Sequence, residues 1–245
     1  MSELQADCLL TRTGRTAARC AHAGFSLIDL LVSIAVVAVL IALLMPSLSS
    51  VREAARRVVC ASNVRQIGLG IAMYADDHKG LLPYTKFASA NRSFAESQSM
   101  VILRDAPQTW DGLGLLFSSN YLDAPGVFYC PSHHGNHPRT AYAPFWSGED
   151  GGIVGNFQFR GIGSMTLSSF RDAQAMVADG MRVQSDYNHR VGSNVLRADL
   201  AISWFSDPGS NLSQMLPQSE VDPAAASKVD SAWQTIDNGA RSSHP

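Results

Sequence analysis

Residues 25–45 read Phe-Ser-Leu-Ile-Asp-Leu-Leu-Val-Ser-Ile-Ala-Val-Val-Ala-Val-Leu-Ile-Ala-Leu-Leu-Met, with Asp29 the only charged side chain, and Pro46 follows at once. At about 1.5 Å rise per residue, about 20 apolar residues cover the roughly 30 Å hydrocarbon thickness of a bilayer as one helix. Few water-soluble folds hold so long an uninterrupted apolar run, so the segment predicts a membrane span. Asp29 is the exception within it. A carboxylate at the centre of a span costs about 2.5–3.5 kcal/mol and less near an end, so the acid needs a partner.

Residues 1–24 carry Arg12, Arg15 and Arg19 and no acid after Asp7, and end in Ala21-His22-Ala23-Gly24. They read as the charged part of a targeting segment. The apolar run after them exceeds the 7–15 residues of a secretory h-region, so it is expected to be kept. Arg52, Arg56, Arg57 and Arg65 flank the far end of the span, leaving only a weak charge preference for a cytoplasmic N-terminus. The formal net charge of the whole chain is -2, and no basic surface is concentrated anywhere, so no nucleic-acid partner is expected.

The string Gly24-Phe25-Ser26-Leu27-Ile28-Asp29-Leu30-Leu31-Val32 resembles the processing and methylation signal of type IV prepilins and type II secretion pseudopilins, typically G-F-T-L-I-E-L-L-V. The resemblance implies cleavage after Gly24 by a prepilin peptidase and methylation of Phe25. It also implies that Asp29 stands where the family carries a Glu whose carboxylate pairs with the N-terminal amine of a neighbouring subunit. The expected partners are therefore the peptidase, other pilin or pseudopilin subunits and the bacterial inner membrane, with the N-terminus cytoplasmic and the head outside. Asp is one methylene shorter than Glu, which suits a minor or tip position. Pro46 falls where many pilins have a Pro that kinks or loosens the stem, and proline within a helix removes a hydrogen bond and crowds the preceding turn.

Beyond Pro46 the pattern stays helical. Leu48, Val51, Ala55, Val58, Val59, Ser62, Gln66, Leu69 and Met73 recur at steps of three and four, while Arg52, Glu53, Arg56 and Arg57 mark another face. Gly80 is a plausible stop, with Pro83 after it. The reading is thus a leader at 1–24, a long helix at 25–79 whose first part, 25–45, is the span, and a globular head at 80–245 with a flexible tail. The expected class is α+β, with an antiparallel sheet packed on the outer half of the helix. A second resemblance, carried by residues 60–69, 73–76 and 80–83, is to a bacterial subfamily of prepilin-like proteins marked by an H-X9-DG motif. Here His189 and Asp199 have that spacing, but Leu200 replaces the Gly.

Of four cysteines, Cys8 and Cys20 would leave with the leader, so Cys60 and Cys130 remain as a pair outside the cytoplasm. A disulfide between them would stabilise the fold by about 4 kcal/mol; two buried thiols are the alternative. Cys130, His133 and His137 have the spacing of a zinc half-site, but no second ligand pair is evident. His189 is expected either to clasp Asp199 or to join a ligand site. Residues 194–198 and 201–205 read as two strands joined by a short turn, which Leu200 weakens or lengthens. A short helix is expected near 224–236, followed by disorder. G-x-S-x-G, H-E-x-x-H and phosphate-binding loops are absent from the sequence, so neither catalysis nor a cofactor is expected. Two functions remain: a structural pilin or pseudopilin subunit of a type II secretion or type IV pilus-like filament, or a membrane-anchored adhesin or polysaccharide-binding head.

Overall fold

The structure is a computed structural model that describes residues 26–85, 102–106, 109–160, 165–171, 174–219 and 221–241. Gly24 and Phe25, and the last residues expected to be disordered, lie outside these. Helix α1 runs Leu27–Asp77. The chain divides within it into two compact units, Met1–Ser47 and Leu48–Pro245.

In the first unit Leu27–Met45 is long and apolar enough to cross a membrane, and none of it is buried against the rest of the chain. Ser26 starts it in the manner of an N-cap, its hydroxyl oxygen accepting the Ile28 N–H at 3.3 Å. The segment is rich in Val and Ile, which are mediocre helix formers in water. In hydrocarbon the helix becomes obligatory, because every backbone polar group must be satisfied within the segment. Pro46 lies inside the helical span, where its missing N–H removes one rung of the ladder.

In the second unit α1 buries Cys60, Val64, Ile67, Ile71 and Tyr74, at alternating steps of four and three. This corrects the phase expected from the sequence. Leu48, Val51, Ala55, Val58, Val59, Ser62, Gln66, Leu69 and Met73 are all exposed. The helix carries two apolar stripes, and periodicity cannot say which one meets the core. Part of the charged face, Glu53 and Arg57, turns toward the head: the Arg57 guanidinium lies 4.5 Å from the Trp204 ring centre. The helix ends in a Schellman arrangement. Gly80 N–H reaches Ala75 O at 2.7 Å, and Lys79 (φ 59°) and Gly80 (φ 83°) are both left-handed.

The head holds two antiparallel sheets. Strands β1 (Ile102–Ala106), β2 (Thr109–Trp110) and β3 (Ile153–Val154) form the smaller, in the order β2-β1-β3. Two short helices, α2 (Gly114–Ser118) and α3 (Arg139–Trp146), fall between β2 and β3. The larger sheet runs in sequence order through β4 (Phe157–Phe159), β5 (Ala175–Asp179), β6 (Gly192–Arg197) and β7 (Ile202–Ser206). Helices α4 (Asn211–Met215) and α5 (Ala225–Arg241) complete the chain. The α+β expectation, with a long N-terminal helix and an antiparallel head sheet, describes this architecture.

β5 and β6 are buried at every position, because both faces of the sheet are covered. On one face Met176 and Leu196 pack with Cys60, Val64, Ile67 and Ile71 of α1. Gly68 permits this close approach: a Cβ there would lie 2.8 Å from Leu196 Cδ1. On the other face Ala175, Ala178 and Val195 pack with Val229, Ala232, Trp233 and Ile236 of α5. The short helix expected near 224–236 is present and longer. Residues 225–241 form a core helix, whose apolar positions are spaced by three and four and whose Asp237 is tied to Arg160 at 2.7 Å.

The turn at Leu200 also has a clear form. Leu200 N–H bonds Arg197 O at 2.9 Å, Arg197 N–H bonds Ala201 O at 2.9 Å, and Leu200 takes φ 63°. Three residues, Ala198, Asp199 and Leu200, lie between the bonded Arg197 and Ala201, with the last one left-handed, the alternative to a two-residue Asp-Gly turn. The left-handed conformation falls on the position where the motif has Gly.

Candidate functional site

Glu53 and Cys60 lie two helical turns apart on α1 and project from one face. Cys130 follows the turn Pro125–Phe128, and its backbone N–H is fixed by Asn156 Oδ1 at 2.7 Å. Asp179 ends β5 and His189 precedes β6. These segments bring four buried side chains together. The ligating atoms of Cys60, Cys130, Asp179 and His189 all lie within 4.8 Å of one another.

Each contact inside the cluster is polar. Cys60 Sγ donates to Asp179 Oδ1 at 2.8 Å. Cys130 Sγ lies 3.4 Å from His189 Nε2, which is 3.7 Å from Asp179 Oδ2. The second ring nitrogen, His189 Nδ1, meets Glu53 Oε1 at 2.7 Å, and Ser132 Oγ donates to Glu53 Oε2 at 2.8 Å. Asn194 N–H donates to Asp179 Oδ2 at 2.6 Å, and Ser132 N–H points at Cys130 Sγ at 3.4 Å.

The charges follow from these contacts. Burial pushes the Cys60 thiol strongly up, helped by its bond with Cys130 and the Asp179 charge. For Cys130 burial acts the same way, but bonds with Cys60 and His189 outweigh it and hold the thiol below its usual range. Burial raises Asp179 against the pull of His189. Burial also opposes protonation of His189, but Cys130, Asp179 and Glu53 outweigh it and raise the imidazole to about 9. Burial works against ionisation of Glu53 as well, yet bonds from His189 and Ser132 prevail and lower it. Cys130, His189 and Glu53 thus stand in the order nucleophile, base and carboxylate. Cys60 and Asp179 fill the reacting side, and Cys130 is only 4% exposed, so the geometry favours ligation over attack on a substrate.

Several expected pairings are replaced. Cys60 and Cys130 are neighbours but are free thiols, not a disulfide, each sulfur being engaged by a different polar partner. His189 does not clasp Asp199; it turns inward to Glu53, while exposed Asp199 accepts the Ala201 N–H at 2.9 Å within the hairpin turn. Cys130 meets His189, and neither His133 nor His137 of the zinc half-site spacing. His133 Nδ1 pairs with Asn188 Oδ1 at 2.7 Å, and His137 bonds the Tyr142 hydroxyl. In the sequence Glu53 is legible only as a charged helix position, and Asp179 only as an Asp followed by Gly180. The signal that could have found them was the polar character of two residues that topology places beside the cysteines.

A family model described as a protein of unknown function, DUF1559, matches residues 49–196, more than half of the chain. The chain belongs to the DUF1559 family. The DUF1559 match takes in Glu53, Cys60, Cys130, Asp179 and His189, and it stops before Asp199 and before α5. Among curated proteins and among solved structures, nothing matches the chain.

Proposed function

We propose that this DUF1559 protein is a pilin-like subunit, cleaved after Gly24, methylated at Phe25 and assembled through α1 into a type II secretion or type IV pilus-like filament. The observation that carries the reading is the wholly exposed apolar segment Leu27–Met45 with Asp29 in its first turn. Among the described residues Asp29 has no ion-pair partner, so its counter-charge must come from outside the described chain. A neighbouring subunit's N-terminal amine supplies it: two charges costly apart in lipid are tolerated together, and the contact sets the register of packing. The exposed stripe of Val51, Val58, Leu69 and Met73 supports the same reading, since it offers apolar surface to adjacent α1 helices beyond the span.

Co-expression with a prepilin peptidase, followed by N-terminal sequencing of the membrane fraction, tests this. A chain beginning with methylated Phe25 is expected. A chain that still starts at Met1 overturns it.

A further inference from the structure

We propose that Cys60, Cys130, Asp179 and His189 form a closed structural zinc site that fastens α1 to the head. A tetrahedral zinc ion with bonds of about 2.0–2.3 Å places its ligand atoms about 3.3–3.8 Å apart. The Cys130–His189 separation of 3.4 Å and the His189–Asp179 separation of 3.7 Å already have those lengths. The 2.8 Å Cys60–Asp179 contact is a thiol–carboxylate hydrogen bond. It opens by about 0.5–1 Å once the thiol proton leaves to make way for the ion.

The surrounding contacts belong to metal sites. A ligating histidine characteristically gives its other ring N–H to a carboxylate, and His189 Nδ1 faces Glu53 at 2.7 Å. The Ser132 N–H points at Cys130 Sγ, where backbone donation would steady the charge of a metal-bound thiolate. Two thiolates with one imidazole select zinc over magnesium or calcium. Four protein ligands, all buried, leave no open coordination position, which makes the site structural. Ligation requires Cys60 and Cys130 as thiolates and His189 Nε2 bare, so whatever protons these three atoms carry are released to solvent, and the imidazole keeps Nδ1–H for Glu53. A cleft lined by Val59, Asn63, Tyr129, Cys130, His133 and Arg139 gives the ion a way in.

The test uses the full chain, purified in detergent with reductant and without chelator. Elemental analysis is expected to find about one zinc per chain, and cobalt substitution to give a thiolate charge-transfer band with tetrahedral d–d bands. Cys130→Ser abolishes both, whereas the double variant His133→Ala, His137→Ala retains them. Circular dichroism checks the fold of every variant. Should Cys130→Ser fail to fold, Glu53→Gln decides, because that side chain is part-exposed and not a ligand; it is expected to weaken zinc binding about 10–100-fold. Four results overturn the site. They are a folded, reduced chain that takes up neither metal; zinc retained by Cys130→Ser; unchanged affinity in Glu53→Gln; or a zinc-free Cys60–Cys130 disulfide in protein taken from membranes.

Discussion

Replacing Trp233 by Ala tests whether the last helix belongs to the cooperative core. The indole is fully buried on α5 among Ala178, Tyr187, Val195 and Leu212, and the Arg160 guanidinium sits 5.4 Å from its ring centre. A buried Trp removes about 150–250 Å² from water, which at about 25 cal/mol/Å² gives roughly 4–6 kcal/mol as an upper bound. Substitutions of this kind, cavity included, cost about 3–5 kcal/mol, a large share of a typical domain's 5–15 kcal/mol. With a urea slope of about 2–3 kcal/mol/M, the midpoint should fall by about 1–2 M. Trp233→Phe is expected to cost only about 1–2 kcal/mol. Among the described residues the indole N–H has no hydrogen-bond partner, so Phe sacrifices area but no bond. The assay is urea unfolding of the full chain in detergent, followed by far-UV circular dichroism. Superimposable curves for Trp233→Ala and the parent would refute the placement of α5 in the core, and equal losses for Ala and Phe would refute the unpaired indole.

Asp237 accepts both the Arg160 guanidinium at 2.7 Å and the Ala175 N–H at 2.8 Å. Asp237→Ala should therefore cost about 2 kcal/mol and Asp237→Asn less, read by the same unfolding curves. Leu200→Ile keeps side-chain volume but puts a β-branched residue at φ 63°, so the melting temperature should drop by a few degrees, corresponding to about 1 kcal/mol, whereas Leu200→Asn escapes that backbone penalty. Asp29→Ala should leave membrane insertion intact and impair assembly, while Asp29→Glu retains or improves it; equal filament yield from both would remove the pairing role of the carboxylate.

Local chemistry made several elements readable in advance. The uninterrupted apolar run gave α1 its start. The Gly80 region gave its end, and alternation with turn residues gave β6 and β7. What the chain order hid was determined by contacts across long sequence separations. His189 spacing pointed to Asp199, yet its partner is Glu53, far earlier in the chain on another element. Which of two apolar stripes on α1 is buried depends on the sheet that meets it, and no helical period encodes that. The helix near 224–236 was legible in the polar, Ser- and Asp-rich stretch after β7, but its place in the core was not: its apolar positions are sparse and suffice because Ala175, Ala178 and Val195 offer a small-residue surface to receive them.

The position of α5 after the sheet strands in the chain also determines when the head can mature. The sheet face made by Ala175, Ala178 and Val195 lacks the cover of Val229, Trp233 and Ile236 until residues 225–241 have been synthesised. A nascent chain paused or truncated before that point carries an uncovered apolar sheet surface, the kind of intermediate that self-associates or is held by chaperones. Shielding of both faces of the central strands therefore waits on residues 225–241.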